Sequence, residues 1–80
     1  MTLLLANALA PEIRVNAVAP GLIDTPWTAP MAELRDRTMA LAPIPRAGQP
    51  DEVAGACLLF ATATYITGEV LLVDGGVHLR

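Results

Sequence analysis

Val70, Leu71, Leu72 and Val73 form an unbroken apolar run between two turn signals, Thr67-Gly68 ahead and Gly75-Gly76 behind. A run this short, with no polar residue alternating into it, predicts a strand covered on both faces, the usual setting of a parallel sheet. A parallel partner can be reached only through a crossover of a dozen or more residues. The candidate partner is "IRVNAVA", residues 13 to 19, where Ile13, Val15, Ala17 and Ala19 alternate with Arg14, Asn16 and Val18 before Pro20-Gly21 stops the pattern. Asn16 is read as serving neighbouring backbone groups rather than chemistry.

The segment between these strands supplies the crossover. "GQPDEVAGACLLFATAT" carries a helix start at Gln49-Pro50, with Asp51 and Glu52 in the first turn, where carboxylates favour the helix dipole. Val53, Ala56, Cys57 and Phe60 fall on one stripe, and Gly55 keeps the helix narrow enough for close packing. Earlier, Leu22 to Gly48 is an irregular, proline-rich stretch. Within it "MAELRDRTMALA", residues 31 to 42, spaces Met31, Leu34, Thr38 and Leu41 at helical intervals. Loops of this length are commonly binding segments or lids. At the N-terminus, residues 2 to 10 read as a helix ended by Pro11.

Composition narrows the function classes. At 54% hydrophobic residues in 80, the chain is apolar, while a domain of this length buries only about 60% of its unfolded surface. Part of that apolar area therefore lacks a partner within the chain, the expected state of a piece of something larger. Net charge is −3, with five Arg and no Lys, which offers no footprint for nucleic acid or an anionic membrane. A single cysteine, Cys57, excludes an internal disulfide and reads as a small buried hydrophobe. His78 reads as a solvated tail residue, and no set of ligands at metal spacing exists. The leading "MTLLLANALA" lacks the basic start of a signal peptide, and no apolar stretch is long enough to span a bilayer. The expected location is the cytoplasm.

Taken in order, "IRVNAVAPGLIDTP", "GQPDEVAGACLLF" and "YITGEVLLVDGG" resemble the C-terminal part of the short-chain dehydrogenase/reductase family, and together they cover nearly the whole chain. The resemblance implies an α/β fold, with residues 1–80 as the C-terminal part of a Rossmann-type doubly wound parallel sheet. It implies hydride transfer between NAD or NADP and an alcohol or carbonyl carbon of a small molecule. It also implies a homo-oligomer, or a missing N-terminal portion. By the same resemblance Pro20, Gly21, Ile23 and Thr25 bind the cofactor: Ile23 through its main-chain N–H and C=O to the nicotinamide carboxamide, Thr25 through a hydroxyl to the carboxamide or the pyrophosphate.

Elementary arguments agree with that placement. Pro20-Gly21 leaves the carboxyl end of a parallel strand, the side on which doubly wound sheets bind ligands. Gly21 permits close backbone approach, and Pro26 fixes the chain just beyond. The rival reading of Pro20-Gly21 is a simple turn. Asp24 reads as a solvated or turn-stabilising carboxylate rather than a catalytic acid, and Trp27 either lines a substrate pocket or packs under the short helix.

The family's proton-transfer groups are not among these residues. Its chemistry uses a Tyr with a Lys four positions later, a Ser, and an N-terminal Gly-rich turn for the pyrophosphate. Tyr65, the only Tyr, is followed at that spacing by Glu69, and no Lys occurs in any register. A phenol without a nearby cation is a poor base at neutral pH. No Gly-rich phosphate cradle occurs either. The expectation is a chain with no catalytic residue of its own, inactive in isolation. It would be an incomplete oxidoreductase, a non-catalytic interaction module, or one half that complements a separate N-terminal half.

Overall fold

The computed structural model describes all residues, Met1–Arg80. The chain runs α1 (Thr2–Leu9), β1 (Ala17–Pro20), a 3-10 turn (Ala29–Met31), α2 (Ala32–Leu41), α3 (Pro50–Thr62), β2 (Val70–Val73) and a final 3-10 turn (Val77–Leu79). The two strands pair in parallel, Ala17 opposite Val70 through Pro20 opposite Val73, with α2 and α3 in the crossover. This is the α/β arrangement that the apolar run and its distant partner require.

β1 begins later than the alternating pattern suggests. The Ile13 N–H still bonds Leu9 C=O at 2.9 Å, on the exit from α1. At Asn16, side-chain bonds replace ladder bonds: its amide donates to Ile66 C=O at 3.0 Å and its Oδ1 accepts from Glu69 N–H at 3.0 Å. Val15 N–H likewise bonds the Thr67 hydroxyl at 3.0 Å. Asn16 thus has the structural role expected of it, and regular pairing starts only beyond it.

α3 starts at Pro50, where the sequence signals place it. The Glu52 carboxylate accepts the Gln49 N–H at 2.9 Å, satisfying a donor that the helix itself cannot. At the other end, the Arg14 guanidinium donates to Phe60 C=O at 2.6 Å and Ala61 C=O at 3.3 Å. The helix end is therefore capped from β1's leader, which lets it run to Thr62.

Two expected helix faces are displaced. On α3, Val53, Ala56 and Phe60 are half-buried as expected, but Cys57 is exposed. The inward stripe continues to Ala63, and Cys57 lies one position off it. On α2, the half-buried positions are Arg35, Thr38 and Met39, whereas Leu34 and Leu41 face outward. The stripe is rotated by about one residue from the apolar spacing, because α2 leans on polar neighbours such as Asp24 rather than on a core.

That core is slight. Ala6 alone is fully enclosed, at 4% exposure. The radius of gyration, 14.8 Å, exceeds the roughly 12 Å of a compact chain this long. Val70, Leu71 and Leu72 are exposed, so β2 is not covered on both faces by the elements of this chain. Gly55 meets no neighbour within 4 Å, so its narrow face is open as well.

Candidate functional site

The loop after β1 is held by bonds on both sides. Gly21 N–H donates to Val73 C=O at 2.9 Å, extending the ladder by one residue. Gly48 N–H then bonds Leu22 C=O at 3.0 Å and Asp24 N–H bonds Gly48 C=O at 2.8 Å, a single parallel bridge between Ile23 and Gly48. Within the loop, the Thr28 hydroxyl donates to Ile23 C=O at 2.7 Å and accepts Thr25 N–H at 3.1 Å. Thr28 N–H returns to Thr25 C=O at 3.1 Å, with the Thr25 hydroxyl 3.4 Å away.

The N–H groups of Leu22, Ile23 and Trp27 have no partner within the chain, and that of Ile23 lies where the loop is braced on both sides. In a parallel bridge the central residue's own N–H and C=O face away from the opposite strand. For Ile23 the C=O is taken by Thr28, while the N–H meets no acceptor anywhere in the chain. Half-buried and braced by the Gly48 and Thr28 bonds, the Ile23 N–H is available as a donor for a ligand acceptor. The Thr25 hydroxyl, adjacent and half-buried, has a proton to offer beside it. These two groups, at the carboxyl end of a parallel strand, fit an amide-bearing ring such as nicotinamide in donor type.

Gly21 has a reason for lacking a side chain that lies inside the chain. A Cβ there would stand 2.7 Å from Asp74 Cβ and 2.9 Å from Asp74 Cα. Its close approach is to the end of β2. Pro20, exposed at the end of β1, pairs in register with Val73 and needs no N–H there.

Asp74 closes β2 with a compact polar cluster. Its Oδ1 accepts Gly76 N–H at 3.0 Å, its Oδ2 accepts His78 N–H at 3.2 Å, and the His78 ring Nδ1 lies 2.8 Å from Oδ2. The Asp74 side chain is only 8% exposed. Burial pushes its carboxyl upward, but the His78 ring and the two backbone N–H groups outweigh that and hold it below the ordinary carboxylate value. His78, though exposed, is therefore tethered to Asp74 rather than free in solvent. Nearby, the Arg46 guanidinium grips both Glu52 oxygens at 2.8 and 3.0 Å. That pairing, with the Gln49 N–H, lowers the Glu52 carboxyl to about 2, and Glu52 in turn raises Arg46.

The structure does not gather Pro20, Gly21, Ile23 and Thr25 into an enclosed pocket. A cleft of about 330 Å³ opens beside them, lined by Leu22, Met39, Arg46, Asp74 and His78 among others, and it lies against α2 and the end of β2. Trp27 is 85% exposed, so it does not pack under α2. Tyr65 is fully exposed and lies in a different part of the chain, beside Thr64 and Ile66. Thr28 and Asp74 escaped the sequence reading. Thr28, three residues after Thr25 and beyond a Pro, has the spacing of a hydroxyl-capped turn, and Asp74 before Gly-Gly has that of a carboxylate-capped one. Glu52 carries the local signal of a helix start, but nothing local pairs it with Arg46.

The model of the family described as "Enoyl-(Acyl carrier protein) reductase" matches residues 1–78. A ketoacyl reductase 2, so named, of the granaticin polyketide synthase from Streptomyces violaceoruber is 56% identical over 98% of this chain and 32% of its own. Among solved structures, the 3-oxoacyl-[acyl-carrier protein] reductase of Brucella melitensis superposes with a TM-score of 0.90 at 41% identity, covering 99% of this chain and 31% of that one. A small-chain dehydrogenase in complex with NADPH superposes with a TM-score of 0.88 at 37% identity, covering 99% and 38%. The chain thus spans about a third of the length of the relatives it matches. Three sequence blocks in register, a parallel pair with its helical crossover, and these superpositions agree that the chain belongs to the short-chain dehydrogenase/reductase family of oxidoreductases.

Proposed function

We propose that this chain forms the nicotinamide side of an NAD- or NADP-dependent reductase acting on a small carbonyl compound, within one Rossmann-type domain to which residues 1–80 belong. Bound there, the cofactor supplies the hydride; the chain's own groups bind and orient. Ile23 N–H and the Thr25 hydroxyl donate to the carboxamide, Thr28 holds both residues in place, and the loop carrying Trp27 and α2 forms one wall for the substrate. The observation that carries the reading is the unpartnered Ile23 N–H at the carboxyl end of β1, in a loop whose Gly21, Asp24, Thr25 and Thr28 N–H groups are all bonded within the chain. Relatives named as ketoacyl and 3-oxoacyl reductases favour a 3-oxoacyl thioester as the carbonyl substrate. The Tyr with a Lys four positions later that serves the family as proton donor does not occur in these 80 residues, so on this reading the donor is supplied from outside them.

The test is a graft. Residues 1–80 replace the matching segment of the Brucella melitensis reductase, and NADPH consumption is followed with a 3-oxoacyl thioester. The graft is expected to turn over, and Thr25→Val to raise the KM for NADPH roughly tenfold with little change in kcat, the pattern of a lost binding contact. An active graft in which Thr25→Val leaves both constants unchanged sinks the cofactor assignment. A second reading, an oligomerisation fragment, is favoured by the open face of α3, where Leu58 and Leu59 are 64% and 50% exposed. Sedimentation of the chain as a well-folded monomer at micromolar concentration would remove it.

A further inference from the structure

Three segments distant in sequence meet at one turn. Asp74 backs directly onto Gly21, whose missing Cβ would fall within 2.7 Å of it. The next residue, Gly75, accepts the Ile44 N–H on its C=O at 2.9 Å, which fastens the exit of the loop that carries α2. Pro43 packs on Gly76, its Cγ 3.0 Å from where a Cβ would stand. The last turn of the chain, through His78, closes on the Asp74 carboxylate.

The turn itself is intrinsically loose. Gly75 and Gly76 both have positive φ, +64° and +85°, a conformation that glycine reaches without strain but also leaves without resistance. The Val77 N–H bonds Asp74 C=O across the pair at 3.2 Å, and the carboxylate adds the side-chain restraint, holding Gly76 N–H, His78 N–H and the His78 ring together on two oxygens. We infer that Asp74 and His78 are positioning residues, which lock the Gly75-Gly76 turn and thereby hold the Gly21–Ile23 loop and the Pro43–Ile44 segment in fixed relation. On the reading of Gly21–Thr25 as the cofactor loop, this pair sets the distance between the cofactor side and the substrate side of the site. The opposite end of the sheet has its own anchors in Asn16 and Thr67, so the lock acts locally.

Amide hydrogen exchange of the full chain, read residue by residue, tests this without cofactor, so it stands or falls apart from the nicotinamide assignment. Asp74→Ala is expected to accelerate exchange at Gly21 and Ile44 by about tenfold or more, as local opening at lost charge-assisted bonds implies, with Ala17 and Gly68 within about twofold. His78→Ala should give a smaller acceleration at the same two amides. His78→Asn, which returns a donor near the position of the ring nitrogen, should largely restore them. Equal acceleration at both ends of the sheet, no change at Gly21 and Ile44, or no protection of these amides in the unsubstituted chain would each overturn the proposal.

Discussion

The two ends of this molecule satisfy different kinds of groups. At the carboxyl end of the sheet, polar atoms close on one another within the chain: Thr28 on Ile23 and Thr25, Asp74 on Gly76 and His78, Arg46 on Glu52. Along the outer faces of α1 and α3, the apolar side chains of Leu3, Leu4, Leu58 and Leu59 meet no neighbour that would cover them. Hydrogen bonds are local and directional, so a short chain can complete them. Hydrophobic burial scales with area, and eighty residues cannot enclose enough of it. The site-forming loops therefore complete most of their polar contacts within the chain, while the helices leave apolar area uncovered.

The largest effect should come from filling the contact between the two strand ends. Gly21→Val drives a branched side chain into Asp74, and overpacking of this kind costs about 3 kcal/mol. Denaturant unfolding should show that loss; a midpoint unchanged from the parent would mean the strand ends are looser than the 2.7 Å approach implies.

A smaller effect separates the polar end by pH. Because the Glu52 carboxyl sits at about 2, below its ordinary 4.5, the folded state binds its proton later than the unfolded one. Its contribution is complete above about pH 4.5, declines as pH falls, and is gone below about 2. The melting temperature should drop across that window, and Glu52→Gln should remove Glu52's share of the drop. An identical acid profile in the variant would show that the pairing with Arg46 does not outlast solvent competition.

The smallest effect is expected on the open face. Leu58→Glu should change stability by less than about 0.5 kcal/mol, since a residue without covering neighbours loses little on substitution. It should also raise solubility. A loss of several times that amount in unfolding experiments would show that the α3 face is covered in solution and that the contrast between the two ends is false.

What was legible in the sequence follows the range of the forces. The start of α3 and the limits of β2 are marked by Pro50, Asp51, Glu52, Thr67-Gly68 and Gly75-Gly76, all of which act within a few residues, and they fall where expected. The onset of β1 was not legible, because Asn16 trades ladder bonds for contacts with Ile66 and Glu69, some fifty positions away. Cys57 and the face of α2 misled for a related reason. Apolar spacing predicts a buried stripe only where there is a core to bury it against, and here there is little. Of the candidate site, Pro20, Gly21, Ile23 and Thr25 are reached through family resemblance; the clamp at Thr28 is local and its turn spacing carries the signal, whereas the contact of Asp74 with Gly21 is one that only the fold brings together.

The central claim is that the segment from Pro20 to Thr25 faces the nicotinamide ring. The most direct test is a nuclear Overhauser experiment on the active graft with NADPH bound, with methyl groups of this chain labelled. Contacts are predicted from the nicotinamide ring protons to the methyls of Ile23 and Thr25, and none to Leu58 or Leu59. Bound NADPH whose nicotinamide protons reach neither Ile23 nor Thr25 would contradict the account.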